Sequence, residues 1–183
     1  MRIKRRISFW NLWLFCAMAG VLAGTIWANL LSGELLGQIG FFDGLYQTGR
    51  TWDEGERRQL WRYILRQRMG ELGLAGLIAM TPAAIPGYLL LTFGTGFAMA
   101  AVISIFTLEK GSLGVLYWLV SVLPHGICYL TAAIVMTAAV NQRENLKKIR
   151  VWLVVGVCVG LGTFLEAWTG PALMRACGSI LGM

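Results

Sequence analysis

The feature that most constrains this chain is an uncharged, strongly apolar stretch at positions 72–108. A bilayer core of roughly 30 Å is crossed by about 20 helical residues, so the stretch is too long for one ordinary span and just long enough for two short ones. Pro82, Pro86 and Gly87 lie near its middle, where prolines break helices and glycine permits a reversal. The sequence therefore predicts a proline-broken helical hairpin within the membrane.

The composition supports a membrane protein. Hydrophobic residues make up 57% of the chain and charged residues only 14%, which is too few charges to cover a water-soluble globule. The net charge of +7 comes from basic residues in short flanks of apolar runs rather than along one polar face. These flanks indicate topology signals and contacts with the lipid bilayer, and they argue against a nucleic-acid partner.

The fold class predicted is an all-α polytopic membrane bundle that forms one domain over residues 1–183. Its five expected spans are at about 7–31, 72–85, 87–107, 112–140 and 151–169. The first run is too long for the apolar core of a cleaved signal sequence, so we interpret it as a retained span. The arm at 72–85 is short for a complete crossing, and a re-entrant arm is the alternative.

An outer polar segment at positions 32–71 separates the first span from the hairpin. Its first half is rich in glycine, and its second half, from Asp53 to Glu71, has the periodicity of an amphipathic helix. The apolar positions that recur at steps of three and four residues are Leu60, Trp61, Ile64, Leu65 and Met69. We expect this helix to lie in the membrane interface, or alternatively to pack on the hairpin as a solvated helix.

The charges of the loops favour five spans. If the stretch at 72–108 crosses twice, the basic loop at 141–150 lies on the cytoplasmic side together with the basic amino terminus. If it crosses once, that loop falls outside, against the positive-inside rule. The prediction is a multi-pass protein whose amino terminus is cytoplasmic. The basic residues between Arg50 and Arg68 on the outer side conflict with this arrangement.

Small residues indicate where helices could pack closely. Gly20 and Gly24 form part of a small-residue face on the first span, and Gly156 and Gly160 form a G-x-x-x-G pattern on the last. Packing within the chain is the expected role, and contact with a partner's helix is the alternative. The four cysteines form no C-x-x-C pattern and His125 is the only histidine, so neither a metal nor a cofactor is predicted.

The most distinctive local motif is Pro124-His125-Gly126 in the middle of a predicted span. A proline there frees a backbone carbonyl group, which an adjacent imidazole could satisfy, while glycine could admit another helix. A kinked helix with a hydrogen-bonded histidine is one interpretation, and a partner contact at Pro124, His125 and Gly126 is the other. Glu166 lies near the outer end of the last span, where we expect a solvated or hydrogen-bonded carboxylate.

The order of these features resembles the stage II sporulation protein M family. The resemblance covers about residues 7–139 and is carried by the basic start, the sequence GTIWANL at 24–30, YILRQR at 63–68, the long apolar hairpin and LPHG at 123–126. The chain departs from the family at Tyr129, where a carboxylate is common, and at Thr131, where a proline is frequent. The resemblance implies a bacterial plasma membrane protein without a catalytic site.

Three functional hypotheses follow. The resemblance implies a non-catalytic scaffold that positions peptidoglycan hydrolases, sporulation proteins D and P, during septal thinning or engulfment in sporulation. The broken hairpin suggests instead a permease-like transporter subunit with an ATPase as its partner. An intramembrane enzyme using His125 and Glu166 is the third hypothesis, for which no catalytic motif is present.

Overall fold

The computed structural model of the protein describes residues 2–31 and 53–180, and in these parts of the chain all regular structure is helical. The predicted all-α class is therefore confirmed. The helices are α1 (Arg2–Leu30), α2 (Glu54–Met80), α3 (Ala84–Lys110), α4 (Ser112–Asn141), a 3-10 helix (Arg143–Lys147) and α5 (Ile149–Ile180). The glycine-rich first half of the outer polar segment, residues 32–52, lies outside the described residues.

Four of these helices are long and apolar enough to cross a bilayer. Their candidate spans are Phe9–Leu30, Ala84–Leu108, Ser112–Asn141 and Ile149–Gly170. Many large apolar side chains on these helices are exposed, as is compatible with a surface that contacts lipid. The four segments correspond to four of the five predicted spans, and the remaining one, the arm at 72–85, falls largely within α2.

Helix α2 joins two segments that the sequence predicted to be separate. It begins with a capping box, in which the Asp53 carboxylate accepts from the amide of Glu54 at 2.8 Å and the Asp53 amide donates to Glu56 at 3.3 Å. It then continues without interruption to Met80, because no proline or second cap separates the polar half from the apolar half. The expectation of a distinct helix ending at Glu71 was therefore wrong.

The chain reverses between α2 and α3 over Thr81, Pro82 and Ala83 only. Pro86 is the third residue of α3, where its missing amide hydrogen costs no helical bond, so it does not break the arm as predicted. Gly87 is also helical, and its amide donates to the carbonyl oxygen of Ala83 at 2.9 Å. Its role is to leave room for the Ile78 side chain of α2, which a Cβ atom at position 87 would contact.

The helices pack as two connected groups. Helix α1 packs chiefly on α3, while α4 and α5 pack on each other and α2 packs on both α5 and α3. A contact between α3 and α4 joins the groups, across a tight connection in which Gly111 adopts a φ of 63°. The main core cluster lies among α2 to α5 and consists of Ala79, Ala84, Tyr88, Ala132, Met136, Val140, Val155 and Val159.

Helix α2 runs antiparallel to α5 along most of the candidate span of α5. Near the start of α2, the Trp61 ring contacts the Trp168 ring at a centroid separation of 6.3 Å. Near its end, Gly76 faces the Trp152 ring, whose nearest atom would lie 3.1 Å from a Cβ atom at position 76. Just beyond that end, Arg143 donates to the carbonyl oxygens of Thr81 and Pro82, at 3.2 and 3.0 Å, and thereby attaches the basic loop to the reversal.

A buried tyrosine also links α3 to α2. The Tyr88 hydroxyl donates to the carbonyl oxygen of Ala75 at 3.1 Å, and the side chain is buried in the main core cluster. We expect Tyr88→Phe to lower the free energy of unfolding by about 0.5–1.5 kcal/mol, because one buried hydrogen bond is lost while the ring stays. The measurement is an unfolding titration with SDS in detergent micelles. Tyr63→Phe, at an exposed position of α2, is the matched control, and an equal effect of both substitutions would contradict this prediction.

Candidate functional site

The predicted motif Pro124-His125-Gly126 lies inside α4, which continues through the proline. The Nδ1 atom of His125 is buried and has no hydrogen-bond partner among the residues that the structure describes, so the expected hydrogen-bonded histidine is not found at this nitrogen. A Cβ atom at Gly126 would meet only Val122 of the same helix, at 3.0 Å. Gly126 therefore does not provide the close approach of a second helix that the sequence suggested.

One turn beyond His125, Tyr129 connects α4 to α5. Its hydroxyl donates to Oε2 of Glu166 at 2.6 Å. Its ring lies against Gly162 of α5, where a Cβ atom would come within 2.6 Å of Tyr129 Cε1. The His125 ring contacts the same tyrosine in an edge-to-face manner at a centroid separation of 5.8 Å. Gly162 is therefore a glycine of α5 that admits a neighbouring helix.

Arg68 brings α2 into the same site. Its Nη2 atom donates to Oε1 of Glu166 at 3.2 Å, and its Nη1 atom donates to Oε2 of Glu71 at 2.9 Å. The guanidinium carbon lies 4.9 Å from the centroid of the Tyr129 ring, as in a cation–π contact. We call the five side chains Arg68, Glu71, His125, Tyr129 and Glu166 the polar cluster.

The polar cluster is partly shielded from solvent. The side chains of Arg68 and Glu166 are 30% and 23% exposed, whereas that of Glu71 is 55% exposed. Arg68 forms ion pairs with both Glu71 and Glu166, so the polar cluster joins α2 to α5 through opposite charges.

An aromatic group flanks the polar cluster on α5. The Phe164 and Trp168 rings stack at a centroid separation of 4.5 Å, and Trp61 of α2 meets Trp168 edge to face. Trp61 belongs to the apolar face that the sequence predicted on α2, and at this position the face is directed at α5. Met69, on the same predicted face, is exposed.

The other predicted site residues lie apart from the polar cluster. Gly20 and Gly24 lie directly against the backbone of α3, whereas Cβ atoms at Gly156 and Gly160 would have no atom of another described segment within 4 Å. Pro82 lies in the reversal that Arg143 contacts, and Pro86 lies in the first turn of α3. The structure thus brings together His125 and Glu166 through Tyr129, whereas Gly20 and Gly24 lie at the contact of α1 with α3 and Pro82 and Pro86 lie at the reversal between α2 and α3.

Sequence reasoning missed Arg68 and Tyr129. Arg68 belongs to a run of arginines in an amphipathic pattern, which is typical of a solvated face. The sequence analysis named Tyr129 only because it stands where the family that the sequence resembles commonly has a carboxylate. A signal was present in the one-turn spacing of His125 and Tyr129, which places both on one face of a helix, but the partner helix was not predictable from that spacing.

The hydrogen bonds of the polar cluster hold α2, α4 and α5 together, which is a structural role. Both oxygen atoms of Glu166 accept a hydrogen bond from another helix. In the described part of the chain no group of three or more His, Cys, Asp or Glu residues could hold a metal ion.

Comparison with known protein families, curated proteins and solved structures gives no match for this chain.

Proposed function

We propose that this protein is a non-catalytic scaffold of the bacterial plasma membrane, which positions peptidoglycan hydrolases during septal thinning or engulfment. The observation that carries the proposal is the bridge from Arg68 and Tyr129 to Glu166, which fastens α2 to α4 and α5. A fastened α2 gives a fixed support to the polar segment at 32–52 that precedes it. A scaffold requires such a support, because a partner can be positioned only by a segment whose attachment does not move.

Five crossings fit this role, with the amino terminus in the cytoplasm. The 27 residues of α2 extend over about 40 Å at 1.5 Å per residue, which exceeds a bilayer core of roughly 30 Å. The antiparallel contacts of α2 with Trp168 and Trp152 of α5 favour a complete crossing over a re-entrant arm. The basic amino terminus and the basic loop at 141–150 then share the cytoplasmic side, and the polar segment lies on the outer side with the cell wall.

This topology has a direct test. A reporter tag inserted at Gln142 should be inaccessible to an impermeant reagent in intact cells and should become accessible after permeabilisation. A tag inserted at Tyr46, in the outer polar segment, is the matched control and should be accessible in both. Labelling at Gln142 in intact cells would overturn five crossings and, with it, the outer docking segment.

The surface of the helices also fits an assembly protein. Helix α1 packs chiefly on α3, and it leaves large apolar side chains exposed along its other faces, among them Phe15, Met18 and Leu22. Such faces contact lipid in a bilayer and can equally contact the single transmembrane helix of a partner. The resemblance to the stage II sporulation protein M family supplies the partner class, the hydrolases sporulation proteins D and P.

The test is photo-crosslinking of the full chain in its host cells. A photoreactive residue at Tyr46 should capture a cell-wall hydrolase, whereas one at Lys147, on an exposed part of the basic loop, should not. Arg68→Leu should reduce capture at Tyr46 several-fold at equal protein level, because α2 loses its attachment to Glu166. Failure to recover a hydrolase from positions throughout 32–52 would refute the scaffold.

A permease-like subunit of a transporter is the second candidate. It is favoured by the presence of ionisable side chains between α2, α4 and α5, since such residues at membrane depth often mark substrate or ion pathways. Under this alternative the partner is an ATPase, and proteoliposomes that contain both should show substrate flux. Absence of flux together with absence of an ATPase encoded beside this protein would remove the alternative.

A further inference from the structure

The net charge of this chain comes from two short segments. The basic residues of the first are Arg2, Lys4, Arg5 and Arg6, and those of the second are Arg143, Lys147, Lys148 and Arg150, with Glu144 as its one carboxylate. The other eight of the 16 basic residues and the other eight of the nine acidic residues cancel. The two segments therefore account for the formal net charge of +7.

The packing of the helices brings both segments to one end of the bundle. Gly20 of α1 lies against the backbone of Phe93 in α3, and Gly24 lies against that of Phe97, so the two helices run parallel. Helix α1 therefore begins at the same end as α3. Helix α3 begins at the reversal, whose carbonyl oxygens accept hydrogen bonds from Arg143 of the basic loop. We call this end of the bundle, with the start of α1 and the loop at 143–150, the basic end.

The described helices add no opposing charge at the basic end. Residues 72–80 of α2, 84–108 of α3, 112–141 of α4 and 151–165 of α5 include no Asp, Glu, Lys or Arg. Among the described residues, Glu144 is thus the one carboxylate at this end, and it is exposed. The basic end therefore attracts anions, and the neighbouring helices do not neutralise it.

The cations of the basic loop lie on a fixed support at the edge of a candidate span. The Trp152 indole nitrogen donates to the carbonyl oxygen of Leu146 at 2.9 Å, which holds the loop on α5. The side chains of Lys147, Lys148 and Arg150 are exposed, and the candidate span of α5 begins between the last two. In a bilayer, the phosphates of the lipid headgroups lie at this level, where a span leaves the apolar core.

We propose that the basic end is a binding surface for anionic phospholipids, whose headgroup phosphates contact Lys147, Lys148 and Arg150. Ammonium and guanidinium groups donate charge-assisted hydrogen bonds to phosphate oxygens. The partner is a lipid rather than a nucleic acid or an acidic protein, because the cations lie where helices leave the bilayer and an anionic headgroup is already within reach. The surface does not depend on the scaffold proposal, since it exists whichever leaflet the basic end faces.

The test is a competition between two lipids with the same acyl chains. The full-length protein is reconstituted in nanodiscs of equal parts phosphatidylglycerol and phosphatidylcholine and released into a neutral detergent. Native mass spectrometry then counts the lipids that stay bound. We expect an excess of phosphatidylglycerol of about tenfold at low salt, and a smaller excess at about 0.5 M salt, where charges are screened.

A pair of double variants shows where the lipid binds. Lys147→Gln with Arg150→Gln should lower the excess of phosphatidylglycerol about fivefold, because two cations at the headgroup level are lost. Arg62→Gln with Arg66→Gln removes the same charge from exposed positions of α2, far from the reversal, and should leave the excess unchanged.

Three results would overturn the proposal. The first is equal retention of both lipids by the unmodified protein, and the second is an equal effect of the two double variants. The third is an excess in the unmodified protein that does not fall with salt, and this result is decisive even if a double variant fails to fold.

Discussion

Gly24→Ala is expected to destabilise the association of α1 with α3 by about 1–3 kcal/mol. A Cβ atom at this position would collide with the backbone carbonyl oxygen of Phe97, and a backbone atom cannot rotate away as a flexible side chain could. The contact is reciprocal, because a Cβ atom at Gly96 of α3 would lie 2.6 Å from the carbonyl oxygen of Ala17. The two helices are thus in backbone contact over several turns.

The effect should be large because α1 has few other attachments. It packs chiefly on α3, so any separation of the two backbones weakens its main interface. The measurement is the free energy of unfolding from an SDS titration in detergent micelles, together with protease sensitivity of the connection after Leu31. Gly20→Ala, which would collide with the carbonyl oxygen of Phe93, should behave in the same way.

Gly156→Ala is the matched control on α5. It adds the same methyl group at a helical position where no other described segment has an atom within 4 Å of the new Cβ atom, and alanine is a better helix former than glycine by about 1 kcal/mol. The control should therefore be neutral or stabilising. Equal effects of Gly24→Ala and Gly156→Ala would show that the close approach of α1 and α3 does not exist in the protein.

Arg68→Leu is expected to lower the free energy of unfolding by about 1–3 kcal/mol. Among the described residues it leaves the partly buried carboxylate of Glu166 with a hydrogen bond from Tyr129 alone, and it removes the cation from the face of the Tyr129 ring. The exposure of the pair, 30% for Arg68 and 23% for Glu166, keeps this value below that of a fully buried ion pair. The same SDS titration measures the effect.

Arg58→Leu provides a control within the same helix. Arg58 pairs with Glu54 at 3.5 Å, but both side chains are largely exposed, so the loss should not exceed about 0.5 kcal/mol. The double variant Arg68→Leu with Glu166→Leu should recover part of the stability lost in Arg68→Leu, because no unpaired charge remains. If Arg68→Leu and Arg58→Leu have the same small effect, the polar cluster does not fasten α2 to its neighbours.

The helices themselves could be predicted to a large extent from the sequence. Long uncharged runs predicted the four candidate spans, because the hydrophobic length of a helix is a property of consecutive residues. The prediction failed between Asp53 and Gly87, where a change from polar to apolar composition was interpreted as a boundary. Composition changes along α2 without any signal that stops a helix, and Pro86 lies where a first turn tolerates proline.

The candidate site was less predictable. His125 and Glu166 were noticed because ionisable residues are rare in apolar runs, whereas Arg68 belonged to a segment full of arginines. The G-x-x-x-G pattern predicted close helix packing at Gly156 and Gly160, but the close approach between α4 and α5 occurs at Gly162. Which glycine faces a neighbour depends on how two helices are rotated about their axes, and that rotation is a result of packing.

The sequence by itself determined the helical class, the apolar segments and the positions of the basic flanks, because hydropathy and charge act along the chain. Only the tertiary structure decided that α2 is one helix, that it lies antiparallel to α5, and that Arg68 meets Glu166 and Tyr129. These residues are far apart in sequence and no local pattern relates them. Their contact follows from the mutual packing of three helices, in which partly buried charges are stable when they are paired.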